Sequence, residues 1–341
     1  MSTSKIEVSG QQLIKTLLII GGVVSLLYFG KSLLMPLIVG VIVAIVLDIP
    51  VKQFTKWGLP KWLGIVCAIL LMLVIFSLLF WLITSQINTM AEDWPTIKEK
   101  ATEELNTFSK WLNSHLNWDY KDYIDNNKKI IDKAEVLASS FLASVMNLLS
   151  QSLIIFVYII LFLMQKTQFV TFFKKLASNN TAATALLSNA AAIVKSYFVG
   201  KGKIMLFLFG IYYIGFLIGS VPYALFLALF AALFSIIPYV GNIIGGGVAV
   251  ILSYLYAGTT PALIVIAVVS AAQLIENYVL TPWVIGDEIN LNPFITIFGI
   301  ILFSSIWGVV GAIISLPILA VLKVFFDHTK GMEPYAYLLK K

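Results

Sequence analysis

From Ile204 to Leu322 the chain runs 119 residues without a Lys, an Arg or a His. The only acids in that stretch are Glu276, Asp287 and Glu288. A water-soluble fold needs roughly a quarter of its residues charged to cover its surface, and these residues are not there. Several apolar runs exceed the roughly 20 residues that cross a hydrocarbon core. The rest of the chain agrees, with 60% hydrophobic and 12% charged residues among 341 and a mean hydropathy of +0.94. The reading is an all-α polytopic membrane protein of about 8 transmembrane helices.

The charge pattern narrows the function. The net charge of +6 comes from Lys alone, since the chain has no Arg. No bidentate guanidinium is therefore available to grip phosphate or carboxylate. The lysines flank apolar runs instead of forming a basic stripe with stacking aromatics, so no nucleic-acid partner is expected. Cys67, His115 and His328 each stand alone, which predicts neither a metal site nor a cofactor. No nucleophile elbow and no phosphate-cradling loop followed by Lys occurs; the chain does not read as an enzyme. Lys5, Glu7 and Lys15 precede an apolar run from Leu17 to Gly30 with no small-residue cleavage pattern behind it. The first helix is expected to be retained.

Hydropathy divides the chain into 1–85 with transmembrane helices 1–3, 86–138 outside the membrane, and 139–203 with helix 4 and a basic connection. Residues 204–326 carry helices 5–8, and 327–341 form a tail. In the 86–138 insertion, Trp94, Ile97, Ala101, Leu105, Phe108, Trp111 and Leu112 recur at three- and four-residue steps, one face of an amphipathic helix. Asp93-Trp94-Pro95 is its start signal, and a second helix is expected over 121–138. Seven Lys and ten acids lie in 86–138, against six Lys and no acid in 166–203. Basic residues of short loops favour the cytoplasmic side. This places 86–138 outside and both termini in the cytoplasm. An even number of crossings follows.

Two segments are too long for one perpendicular helix. Residues 224–256 contain Pro238, Gly241 and Asn242, and residues 293–326 open at Pro293 and contain Gly308, Gly311 and Pro317. Residues 224–256 read as one broken or tilted span or as a hairpin returning to its own side, and residues 293–326 read as an overlong, interrupted eighth span. Paired interrupted helices point to transporter binding sites, because backbone freed from helical bonding can face a cavity.

Glu276 is the sharpest candidate. With Ser270, Gln273, Asn277 and Thr281 it makes a polar stripe on an otherwise apolar helix that ends before Pro282 and Gly286. Such a stripe must face protein or water. Interhelical hydrogen bonding accounts for the amides, whereas an acid at that depth marks a pathway or a buried contact. With 166–203 read as a connection, no Lys lies inside a neighbouring span. Glu276 is then expected to be protonated at rest or paired with a transported cation. Proton exchange at this carboxylate can be tied to movement of a small polar solute. The rival makes the cation itself the substrate, in a sodium (or lithium)/proton antiporter. A third class is a scaffold or receptor that binds a partner through 86–138. Asp287 and Glu288 are expected in a solvated connection.

Ile237-Pro238-Tyr239-Val240-Gly241, Gln273-Leu274-Ile275-Glu276-Asn277 and Leu280-Thr281-Pro282 with Gly286 form an ordered series. It continues through Leu291-Asn292-Pro293, Trp307-Gly308, Gly311 and Leu316-Pro317. In order and spacing this resembles the autoinducer-2 exporter family of bacterial permeases (the PerM- and TqsA-like proteins). The resemblance covers roughly 80 residues closely, and the span layout of the rest fits. Ser304-Ser305 stands where such relatives often carry a Gly pair. The resemblance implies a multi-pass secondary transporter of the bacterial cytoplasmic (inner) membrane, surrounded by lipid and compatible with a homo-oligomer. Some members are associated with export of the quorum-sensing signal autoinducer-2, others with sodium–proton antiport. The implied partners are a small-molecule or cation substrate and a proton or sodium coupling ion.

Overall fold

The structure, a computed structural model, describes residues 10–116, 153–175, 181–238, 240–286 and 291–340. The expected helix over 121–138, the start of the fourth span, Tyr239, Asp287 and Glu288 lie outside the described residues. Among the described residues every element is helical, apart from one isolated bridge between Leu291 and Lys340. In chain order these are α1 (Gly10–Phe29), α2 (Lys31–Lys56), α3 (Lys61–Glu92) and α4 (Trp94–Leu116). They are followed by α5 (Leu153–Lys175) and α6 (Thr181–Ile218). Then come α7 (Ala224–Phe234), α8 (Val240–Ala257) and α9 (Thr259–Ile275), a π-helical turn (Glu276–Leu280), α10 (Thr281–Val284), α11 (Pro293–Asp327) and α12 (Glu333–Leu339). Six helices among the described residues are long and apolar enough to cross a membrane, with two shorter apolar helices beside them.

The chain folds as two compact units. One gathers Met1–Val46, Ile154–Lys195 and Ile289–Lys341; the other gathers Leu47–Leu153 and Ser196–Glu288. The second holds Glu276.

Both overlong segments are hairpins. In the Glu276 unit, α7 and α8 are separated by a turn at Ser235–Pro238, where Pro238 has no N–H to continue a helix. Their backbones touch through glycines. A Cβ on Gly241 would overlap the Phe234 carbonyl, and one on Gly245 would stand 2.6 Å from the Ala231 Cα. Only Gly permits this approach. The antiparallel order of these contacts, 241 to 234 and 245 to 231, defines a tight helical hairpin instead of one broken span.

The other unit repeats the device. α11 bends back at Trp307 and at Gly308, whose φ of 62° and ψ of −142° no L-residue adopts easily. A Cβ on Gly311 would overlap the Phe303 carbonyl, and one on Gly299 would meet the Leu319 side chain. Residues twenty apart in sequence touch only because the arms are antiparallel. The hydroxyls of Ser304 and Ser305 donate to the Ile301 and Leu302 carbonyls of their own arm, so no unpaired hydroxyl remains at the turn. The Trp307 indole N–H donates to the Leu27 carbonyl of α1 at 3.0 Å. Asn292 caps the first arm by accepting from the Phe294 N–H, with Pro293 at the first helical position. Pro317 is buried in the second arm.

α4 starts at Trp94, as the Asp93-Trp94-Pro95 signal predicts, and buries Ile97. It is held to the core hairpin at two points. The Tyr254 hydroxyl of α8 donates to Glu104 at 2.9 Å, and the Tyr223 hydroxyl ahead of α7 donates to the Asp93 carboxylate.

Candidate functional site

The site is built where α6, α8 and α9 meet. α6 and α9 run antiparallel in contact: Gly215 lies against Val268, Gly219 against Ile264, and Gly200 against Val284 and Ile285. α8 reaches α9 through Gly246 against Val269. α9 buries Ala262, Val265 and Ala272, and the π turn adds Glu276 and Leu280 to that face. The Thr281 N–H bonds the Glu276 carbonyl, five residues back, which opens the turn just before Pro282. Insertions of this kind recur at functional sites.

Glu276 is buried, and it is not alone. The Lys201 Nζ of α6 donates to its Oε1 at 2.6 Å, and each side chain is 7% exposed. The Asn242 amide, at the start of α8, donates to Oε2 at 3.4 Å, and its own carbonyl accepts from the buried Tyr212 hydroxyl of α6 at 3.3 Å. The expectation that no cation stands near Glu276 is therefore corrected. α6 begins at Thr181, and its candidate span starts at Ser188, well before the 204 boundary read from hydropathy. Lys201 is thus an interior residue of a spanning helix. It lies on the buried face with Tyr197, Ile204, Leu208, Tyr212 and Phe216, while Lys203 is exposed beside a groove of about 640 Å³.

A buried ion pair carries a large desolvation penalty, offset only by close geometry and further hydrogen bonds. Here Asn242 donates to the pair, and Tyr212 donates in turn to Asn242. The pair sets opposite formal charges 2.6 Å apart, so the site is formally neutral overall. Neutralising Glu276 would leave the ammonium without its counter-charge.

The polar stripe separates in the structure. Gln273 donates to Asn277 at 2.9 Å on the outer side of the helix, where Asn277 and Ser270 are exposed. Of the stripe, only Glu276 joins the buried cluster. Of the Pro238–Gly241 break, Asn242 joins it, while Pro238 and Gly241 shape the hairpin that presents it. Pro282 follows the π turn and Gly286 ends α10 with φ 67°. Pro293, Gly308, Gly311 and Pro317 build the hairpin of the other unit.

Lys201, Tyr197 and Tyr212 went unmarked in the sequence. Their signal is the spacing 193, 197, 201, 204, 208, 212, 216, which continues one helical face through the basic stretch.

Comparison with known proteins adds the family. The AI-2E family transporter profile matches residues 16–331. YueF of Bacillus subtilis (strain 168) is 30% identical over 322 residues, covering 87% of this chain and 84% of that protein. YhhT of Escherichia coli (strain K12) is 21% identical, covering 99% and 97%. The AI-2 transport protein TqsA of the same strain is 21% identical, covering 91% of this chain and 90% of its own. With a family profile matched over nearly the whole sequence, this chain belongs to the AI-2E transporter family.

Proposed function

We propose that this chain is an ion-coupled secondary transporter that exports a small polar solute across the bacterial cytoplasmic membrane. Glu276 is the coupling site and Lys201 holds its ionised form. The buried Lys201–Glu276 pair, bonded further to Asn242, carries this reading. A charge pair is an expensive way to join two apolar helices. Its use is that one proton changes the charge of the site. In the cycle, Glu276 gains a proton from one side and gives it up to the other. Rearrangement of α6 against α9 and the α7–α8 hairpin then accompanies passage of the solute.

Autoinducer-2 is the first solute to test, because TqsA is named for its transport. The two hairpins support the orientation. Each returns the chain to its side of entry, so among the described residues we read α1, α2, α3, α5, α6 and α9 as single crossings, an even number. Both termini then share the cytoplasmic side favoured by the basic loops. The amides of half-buried Gln273 and exposed Asn277, in a helix face that otherwise meets lipid, favour a homo-oligomer in which they find further partners.

In the sodium/proton alternative the cation occupies the Glu276 carboxylate and must displace the Lys201 ammonium. Proteoliposomes containing a pH-sensitive dye separate the readings. Proton movement triggered by autoinducer-2 supports the exporter. Proton movement driven by sodium alone, without organic solute, supports the antiporter and overturns the exporter reading.

A further inference from the structure

α6 offers Glu276 two polar side chains, one helical turn apart. Tyr197 and Lys201 stand at i and i+4, both buried, in the row that continues through Ile204, Leu208 and Tyr212. Lys201 is engaged by Glu276. The Tyr197 hydroxyl has no hydrogen-bond partner among the described residues, although its oxygen is sealed from solvent. It shares the buried face of α6 with Lys201, whose ammonium meets the Glu276 carboxylate. A buried hydroxyl left unbonded is destabilising, and any conformer that supplies its partner recovers that loss.

The chemistry of the carboxyl group changes when it takes up a proton. As a carboxylate it only accepts hydrogen bonds, and an ammonium suits it. As a carboxylic acid it has an O–H to donate, which an ammonium cannot accept and a phenol oxygen can. Protonation thus weakens the hold of Lys201 and creates a donor whose complement is one turn away. That turn is about 6 Å along α6 at 1.5 Å per residue.

We propose that Glu276 has two stations on α6: Lys201 when the carboxylate is ionised, and Tyr197 when the carboxyl is protonated. The inference rests on the reading of Glu276 as the coupling site and adds the residue that receives its neutral form. One proton is taken up by a carboxylate oxygen; Lys201 stays an ammonium and Tyr197 keeps its own proton. The other groups facing Glu276 do not compete. Asn242 from α8 does not titrate, Tyr212 from α6 is bonded to Asn242, and α7 has no ionisable residue. Tyr197 is a positioning residue for the charge change at Glu276.

The test is an infrared pH titration of the full-length protein in lipid vesicles, in which Glu276→Gln identifies the Glu276 carboxyl band. Tyr197→Phe removes the partner of the protonated form, so the midpoint is expected to fall by about half to one pH unit. Lys201→Gln removes the partner of the ionised form and raises it. Tyr197→Phe loses only an unbonded hydroxyl, so its melting temperature stays at or above that of the wild type, and the shift is not one of unfolding. A Tyr197→Phe midpoint equal to or above the wild-type value overturns the two-station inference while leaving Glu276 as coupling site. Absence of any titrating band that Glu276→Gln removes overturns the coupling reading itself, and the stations with it.

Discussion

Lys201 and Glu276 are 75 positions apart in sequence, yet their charged groups meet at 2.6 Å with both side chains almost wholly buried. The contact joins α6 to the π turn after α9.

Breaking the pair from one side is costly. Lys201→Met leaves the Glu276 carboxylate buried without a counter-charge and is expected to destabilise the protein by about 3 kcal/mol or more. The double change Lys201→Met with Glu276→Leu restores stability to within about 1 kcal/mol, since an apolar pair of similar volume replaces the ions. Denaturant unfolding in detergent measures both. The double variant is expected to fold and not to transport.

The hairpin in the Glu276 unit depends on backbone contact at two glycines. Gly245→Ala forces a methyl group to within 2.6 Å of the Ala231 Cα and costs about 1–3 kcal/mol. Gly241→Ala costs more, because the clash is with a carbonyl fixed in the turn. Gly247 meets nothing within 4 Å. Gly247→Ala is therefore neutral, or stabilising by up to about 1 kcal/mol through helix propensity. Thermal melts of the three variants give the order.

The bond between Tyr223 and Asp93 ties α4 to the core outside the membrane-spanning segments. Burial, and then the hydrogen bond to the Asp93 carboxylate, raises the proton affinity of the Tyr223 phenol. A phenol whose folded value is raised contributes its full stability below the ordinary tyrosine value of about 10, and that contribution declines as pH rises beyond it. Tyr223→Phe is expected to cost about 1 kcal/mol at neutral pH, given its partial exposure. It should also reduce the alkaline fall in melting temperature. A melting series across neutral and alkaline pH compares the two proteins.

Position around the helix distinguishes the two asparagines. Asn242→Leu removes the donor to Glu276 Oε2 and the acceptor for Tyr212, so it alters the titration of Glu276. Asn277→Leu cuts only the exposed bond to Gln273 and leaves that titration unchanged. The infrared measurement on Glu276 reports both.

Much of this arrangement is written in residue types. An acid inside 119 residues without a base marks Glu276, and Pro238, Gly241, Gly308 and Gly311 mark the places where long apolar segments turn. What hydropathy could not supply is which side of a helix counts. Glu276 and Asn277 are adjacent in sequence, but they face different sides of the helix, one buried and the other exposed. The apolar partners at Val265, Ala272 and Leu280 select the Glu276 side. Lys201 was hidden for a similar reason. Averaged over 166–203 the chain is basic and loop-like, whereas one face of that stretch is aliphatic and aromatic and continues the spanning helix. The direction of the hairpins was also illegible, because a Gly-Pro break looks the same whether the chain continues or returns. Contacts between residues as distant as Gly299 and Leu319 decide it.

The most direct measurement compares wild type and Glu276→Gln in proteoliposomes under an imposed pH gradient, following autoinducer-2 efflux together with internal pH. If Glu276 carries the coupling proton, the wild type moves solute and protons together, and the variant, which keeps the side-chain shape but cannot change charge, loses the gradient dependence. Solute movement by Glu276→Gln with the gradient dependence of the wild type would contradict the account.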